Sequence, residues 1–276
     1  LNIRLDAILP LKNKMLEHVY GTKTYSKEEM LQYCKKYAEI FKPYVCNEWV
    51  DKLSAALKED KKILFEGAQG IMLDIDYGTY PYVTSSNPIG GGAATGSGIG
   101  PTHIENVIGV TKAYVTRVGE GPFVTELTDE TGEKIRNIGG EFGTTTGRPR
   151  RCGWFDAVLS RYCVLVGGLT EMAITKIDVL NDFDELKVCI AYKDKRDGKI
   201  YTDYPTNINL HKYLEPVYET FKGWKSDISN AKKLEDLPEN ARLYLQKLEE
   251  LVGIPIKIIS VGPDREQTIM LENPFK

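Results

Sequence analysis

The strongest constraint on the fold is an alternation. Short apolar runs, many of them β-branched, take turns with capped segments of helical period along most of the chain. Ile63-Leu64-Phe65, Ala113-Tyr114-Val115-Thr116-Arg117-Val118, Met172-Ala173-Ile174-Thr175 and Pro255-Ile256-Lys257-Ile258-Ile259-Ser260 read as strands. Ser26 and Glu29 have capping-box spacing and open a helical stretch over residues 26–58 that Pro43 interrupts. Thr102 and Glu105 repeat that spacing and predict another helix start. Asp156 caps a helix that runs to Val166 and ends at Gly167-Gly168. Residues 238–252 form an amphipathic helix stopped by Gly253. Val188-Cys189-Ile190-Ala191-Tyr192 and Ile200-Tyr201 flank Asp197-Gly198, a hairpin turn. Strand, helix and strand in this order predict an α/β fold with a large, mostly parallel sheet flanked by helices. No repeat, low-complexity tract or linker interrupts the chain, so residues 1–276 are read as a single region.

Composition excludes several classes. A net charge of −3 offers no general affinity for nucleic acid or membrane surfaces. No apolar run approaches the roughly 20 residues of a membrane-spanning helix. Five scattered cysteines without a CxxC pair suggest no disulfide framework and favour a reducing compartment, the cytoplasm. His18, His103 and His211 have no metal-ligand spacing.

Four segments carry candidate chemistry. Phe65-Glu66-Gly67-Ala68-Gln69-Gly70 follows a predicted strand, where open α/β sheets bind ligands, and Gln69 offers an amide donor and acceptor to a base edge. A junction where glycines relieve crowding explains the same residues equally well. Residues 90–100 hold six glycines with Thr95 and Ser97 between them. Such a segment suits an anion, or is a flexible loop with no ligand. It is not a dinucleotide fingerprint, because Pro101 falls where the third glycine belongs, and GxxxxGK[ST] occurs nowhere. In residues 144–151, three threonine hydroxyls adjoin Arg148, Arg150 and Arg151, with Trp154 nearby. Guanidinium forks match carboxylate and phosphate oxygens in pairs, so an anion site is preferred to a solvated basic loop. Thr175-Lys176-Ile177-Asp178 resembles the NKxD element of GTP-binding proteins, in which the Asp accepts from guanine N1–H and the exocyclic amine. A surface Lys–Asp pair is the alternative. Ser260-Val261-Gly262-Pro263-Asp264-Arg265 ends a strand and enters a turn.

Taken in order, these segments resemble the adenylosuccinate synthetase family. The matching stretches also include Leu73-Asp74-Ile75-Asp76-Tyr77-Gly78-Thr79-Tyr80-Pro81-Tyr82-Val83-Thr84-Ser85-Ser86-Asn87 and Thr116-Arg117-Val118-Gly119. The resemblance is weakest before Lys61. It implies a P-loop-NTPase-like α/β fold, a homodimer, magnesium, and the GTP-dependent joining of L-aspartate to IMP through a 6-phosphoryl intermediate in purine (AMP) biosynthesis. By the same resemblance Gln69 contacts the IMP base near the reacting oxygen. Thr84 and Arg148 hold IMP, and Val118 and Gly119 lie near its ribose. Thr144, Thr145, Thr146, Gly147, Arg148, Pro149 and Arg150 take the aspartate carboxylates, and Arg150 also faces GTP phosphate. Lys176, Ile177 and Asp178 hold guanine, with Ser260, Val261 and Gly262 closing over it. Pro149 stands where some relatives carry a basic residue.

The chain opens on Leu1, and no segment matches the family's glycine- and lysine-rich loop, catalytic Asp or catalytic His. His18 and His103 are not in the corresponding context. The chain is therefore expected to be a C-terminal portion without turnover of its own, its magnesium ligands lying in a preceding segment. An alternative from another class is a non-catalytic nucleotide-binding or dimerisation module.

Overall fold

The structure is a computed structural model that describes residues 1–144 and 147–275. It divides into two compact units, Leu1–Asp60 and Lys61–Lys276.

The first unit is helical: α1 (Asn2–His18), α2 (Lys27–Phe41) and α3 (Trp49–Lys58). The capping box forms as expected. Glu29 N–H donates to Ser26 Oγ at 3.1 Å, and Ser26 N–H donates to Glu29 Oε2 at 2.7 Å. α2 stops at Phe41, and a single 3-10 turn containing Pro43 follows, because proline supplies no N–H to continue the ladder. None of the residues of this unit is buried.

The second unit carries the sheets. β1 (Ile108–Lys112), β5 (Glu171–Thr175) and β9 (Ile256–Ser260) are parallel neighbours, and β10 (Thr268–Met270) joins β9 antiparallel. β2 (Val115–Arg117) pairs antiparallel with β3 (Arg151–Gly153). A third sheet joins β4 (Phe155–Asp156) to β6 (Glu185–Asp194), which also pairs with β7 (Ile200–Tyr201) and β8 (Leu214–Lys222). The helices are α4 (Gly90–Ser97), α5 (Glu130–Gly139), α6 (Ala157–Gly167) and α7 (Glu239–Val252). One core cluster runs from Met172 and Ile174 of β5 and Ile256 and Ile259 of β9 to Ile135 of α5 and Tyr244, Leu245 and Leu248 of α7. The buried positions of α7 recur at helical spacing, so the helix is held by this face rather than by propensity.

The expected α6, α7, β5, β9 and the hairpin at Gly198 are present. Asp156 Oδ1 accepts from Leu159 N–H at 3.0 Å, and Gly168 and Gly253 end α6 and α7 in the left-handed conformation. Four expectations need correction. Residues 63–65 form no strand, since none of the described strands pairs with them and Leu64 is exposed. A single 3-10 turn, Pro101–His103, replaces the helix expected after Thr102, because the β-branched residues that follow join β5 as β1. The 113–118 strand is shorter: Ala113 and Tyr114 are a buried bend between β1 and β2. The glycine-rich segment is not a loop over 90–97 but α4, whose glycines permit close approach; a Cβ on Gly92 would lie 1.9 Å from Asn87 O.

Candidate functional site

Because β1, β5 and β9 run parallel and adjacent, their carboxyl ends open on one edge of the sheet, where ligands bind in folds of this kind. Lys112 ends β1, Lys176 and Asp178 follow β5, and Ser260, Val261 and Gly262 lie at the end of β9. Lys176 has φ +58°, a left-handed conformation that costs a lysine energy and recurs at functional sites. Buried Ile177 pins the turn that follows, and Asp178 is half-buried. Burial raises the Asp178 carboxyl pKa, opposed by a backbone N–H and by Lys176. At the end of β9, Ser260 Oγ donates to Gly262 O at 2.9 Å. A Cβ on Gly262 would lie 2.2 Å from Gln267 Oε1, so this turn is close-packed.

The basic segment is a hairpin loop. Arg150 N–H donates to Glu141 O at 2.9 Å, Phe142 bridges Pro149, and Gly143 N–H donates to Arg148 O at 2.9 Å. Gly147 turns the chain at φ +63°. Thr144, Gly147, Arg148 and Pro149 are exposed at the tip, whereas Thr145 and Thr146 lie outside the described residues. Arg150 reaches inward. Its Nη1 donates to Glu141 Oε2 at 2.8 Å, and its carbonyl accepts from Arg136 Nε at 2.8 Å.

Glu141 is the centre of this side and was not singled out from the sequence. It is fully buried. Lys112 Nζ donates to both of its oxygens at 2.8 Å, Tyr114 OH donates to Oε1 at 2.5 Å, and Lys176 Nζ stands 3.7 Å from Oε1. Burial alone acts to raise its pKa. The bonds from Lys112, Tyr114 and Arg150 together outweigh that, and the carboxyl titrates below its usual range. One carboxylate among three cations leaves a positive excess at the sheet edge, which favours anionic ligands. Two sequence-derived groups, Arg150 and Lys176, are thus brought to one carboxylate. The available signal was weak: an acidic residue directly before an arginine-rich loop.

The remaining candidates come from residues 69–84 and from the end of β2, which pairs with the strand after Arg150. Gln69 is exposed. Thr84 is half-buried, its N–H donating to Leu73 O at 2.8 Å. Val118 is exposed, and Gly119 has φ +73°. Arg117 ties these stretches together, donating through Nη2 to Thr79 Oγ1 at 2.8 Å and through Nε to Glu120 O at 2.9 Å. This group adjoins the Glu141 side: Arg151 Nη1 donates to Gly119 O at 3.3 Å, and Lys112 Nζ donates to Thr116 Oγ1 at 2.9 Å. Among the described residues no three His, Cys, Asp or Glu side chains converge as a metal site, so the residues present do not by themselves fit a magnesium ion. None of their helices is long and apolar enough to cross a membrane.

Comparison with known proteins identifies the family of the chain. The family described as adenylosuccinate synthetase matches residues 1–269. The adenylosuccinate synthetase of Carboxydothermus hydrogenoformans is 53% identical over 272 residues, covering 99% of this chain and 63% of that protein. The one from Geobacter sulfurreducens is 53% identical over 274 residues, covering 99% and 62%. The solved structure of fully ligated adenylosuccinate synthetase from Plasmodium falciparum superposes with a TM-score of 0.89 at 38% identity, covering 98% of this chain and 64% of that one. The chain therefore spans a little under two thirds of the length of these relatives. With the family matching almost from end to end, and relatives above half identity, this chain belongs to the adenylosuccinate synthetase family.

Proposed function

We propose that the whole protein joins L-aspartate to IMP, splitting GTP to GDP and phosphate, in purine nucleotide biosynthesis. The observation that carries this reading, beyond family membership, is the convergence of Arg150, Lys176 and Lys112 on Glu141, at the edge where Asp178 and the end of β9 also emerge.

In the first step N1 of IMP gives up its proton to a general base as O6 attacks the γ-phosphorus of GTP. An O6–P bond forms, the bond to the β-phosphate bridging oxygen breaks, and GDP leaves. In the second step the aspartate amine attacks C6, the C6–O6 bond breaks, and phosphate leaves with the proton given up by the amine. Positioning and charge stabilisation dominate such transfers. Asp178, ionised, accepts from guanine N1–H and its exocyclic amine, a donor pair that adenine lacks. Lys176 and Ile177 fix the base plane, and Ser260, Val261 and Gly262 close over it. Arg150 faces the transferred phosphoryl group. Its side chain is partly exposed and gives Nη1 to Glu141, so the outer part of the guanidinium can meet a ligand. The loop from Thr144 to Arg150, including Thr145, Thr146, Gly147, Arg148 and Pro149, holds the aspartate carboxylates. Gln69, Thr84, Val118, Gly119 and Arg148 hold IMP, with Gln69 near the reacting oxygen.

The whole protein is further proposed to be a cytoplasmic homodimer that uses magnesium. That ion would neutralise phosphate charge when bound. Initial rates with IMP, aspartate and either GTP or ATP test the reading. Adenylosuccinate and phosphate formed in equal amounts with GTP, and little with ATP, support it. Absence of product, or equal use of ATP, contradicts it.

A further inference from the structure

We propose that Glu141 is a positioning residue that holds the aspartate-side Arg150 and the guanine-side Lys176 in a fixed relation, so that one buried carboxylate serves two subsites. The inference rests on the function proposed above and goes beyond it, because Glu141 touches no substrate in that reading.

The geometry argues for alignment rather than packing alone. Glu141 directly follows left-handed Gly140 at the end of α5, so a helix end fixes its backbone. Its partners come from three other places: Lys112 and Tyr114 where β1 ends, Arg150 at the foot of the hairpin loop, and Lys176 after β5. Two further contacts are specific to this arrangement. Lys176 Nζ also donates to Gly139 O, next to the same helix end. A Cβ on Gly139 would lie 2.4 Å from Tyr114 OH, so a glycine is needed for that hydroxyl to reach Glu141. A buried carboxylate is tolerated once it is paired. Here Lys112 and Tyr114 already satisfy it, while Arg150 and Lys176 approach from the sides that carry the proposed subsites. Arg150 spends Nη1 on Glu141 while its side chain stays partly exposed, so the carboxylate aims the guanidinium without enclosing it.

Glu141→Gln keeps the side-chain shape but turns one acceptor into a donor that faces cationic donors. The test is steady-state kinetics of the whole protein with each substrate varied in turn, alongside thermal unfolding. KM for aspartate and KM for GTP are expected to rise together by about tenfold, with kcat lowered by up to about 100-fold, while KM for IMP stays within about twofold. Tyr114→Phe removes a hydroxyl from Glu141 but leaves its cations in place; it lowers Tm with all three KM values within about twofold. A folded Glu141→Gln protein with unchanged KM for aspartate and GTP overturns the inference, and so does an equal rise in all three KM values. If Glu141→Gln does not fold, Glu141→Asp takes its place. It keeps the charge but withdraws it by one methylene, and the same paired rise, smaller, is expected; its absence overturns the inference. A wild-type protein that makes no adenylosuccinate overturns the proposed function itself, whereas an active wild type with an indifferent Glu141→Gln variant overturns only the role of Glu141.

Discussion

Two buried carboxylates in the second unit meet opposite fates. Glu141 and Asp156 are both closed to solvent. Glu141 sits among Lys112, Arg150 and Lys176, and the bonds from Lys112, Tyr114 and Arg150 hold its pKa below the usual range despite burial. Asp156 sits at the start of α6, with Tyr192 OH donating to Oδ2 at 2.6 Å and Leu159 N–H donating to Oδ1. Burial is its largest influence and pushes its pKa up to about 6, opposed by those two bonds and by Arg161. Burial pushes both carboxyls up, and the partners decide whether that push is overcome. The group among cations stays ionised and faces the candidate site. The group beneath a tyrosine is a helix cap that serves the frame.

The largest expected effect concerns the frame. Asp156 has a folded pKa above its ordinary value of 3.8, so its stabilisation is fully present below about pH 4 and is lost as pH rises through about 6. Asparagine keeps the cap and cannot titrate. Asp156→Asn should flatten that decline and gain up to roughly 3 kcal/mol over the parent above pH 7, read by urea unfolding from pH 4 to 8. A variant that keeps the parental slope would show that Asp156 is not the group responsible, and the contrast with Glu141 would fail.

Next in size is a test at the charged edge. Asp178→Asn should lower kcat/KM for GTP by about 100-fold, or ~2.7 kcal/mol, and leave KM for IMP and aspartate nearly unchanged. Equal losses for all substrates would mean that the edge does not read the base. The pH dependence of Glu141 has the opposite sign to that of Asp156. Its folded pKa is lowered, so its contribution is present above the ordinary glutamate pKa and is lost as pH falls through the lowered value. Glu141→Gln should remove part of the acid-side fall in stability and leave the slope due to Asp156 intact, as measured by unfolding between pH 3 and 6. The smallest effect is expected at the loop tip. Gly147 has φ +63° with open space around its Cβ position. Gly147→Ala should therefore cost only about 1 kcal/mol of strain and raise KM for aspartate about fivefold, without moving KM for GTP.

The contrast also explains what could be read from the sequence. Asp156 was legible as a cap because Leu159, its backbone partner, lies three residues on. The same local logic gave α7 with Gly253, the turn at Gly198, and the strand before Lys176. Glu141 was not legible, because its partners Lys112 and Lys176 are distant in sequence and meet it only when β1 and β5 pair. β1 itself was hidden behind the capping-box spacing of Thr102 and Glu105, a local signal that strand pairing overrode. Residues 63–65 show the reverse error: an apolar run is a strand only where a neighbouring ladder satisfies its backbone. Glycines at 90–92 suggested a loop, yet Gly92 serves α4 by allowing Asn87 O to approach. In the first unit the helical period was readable, but period alone does not specify a core, and none of those residues is buried.

The central claim is that the carboxyl edge of β5 and β9 reads guanine. Calorimetric titration of the protein with GDP and with ADP, in the same buffer at neutral pH, tests it most directly. GDP binding at least about tenfold more tightly than ADP, with that preference lost in Asp178→Asn, is the predicted result. Equal affinity for the two nucleotides, or a preference that survives the substitution, would contradict it.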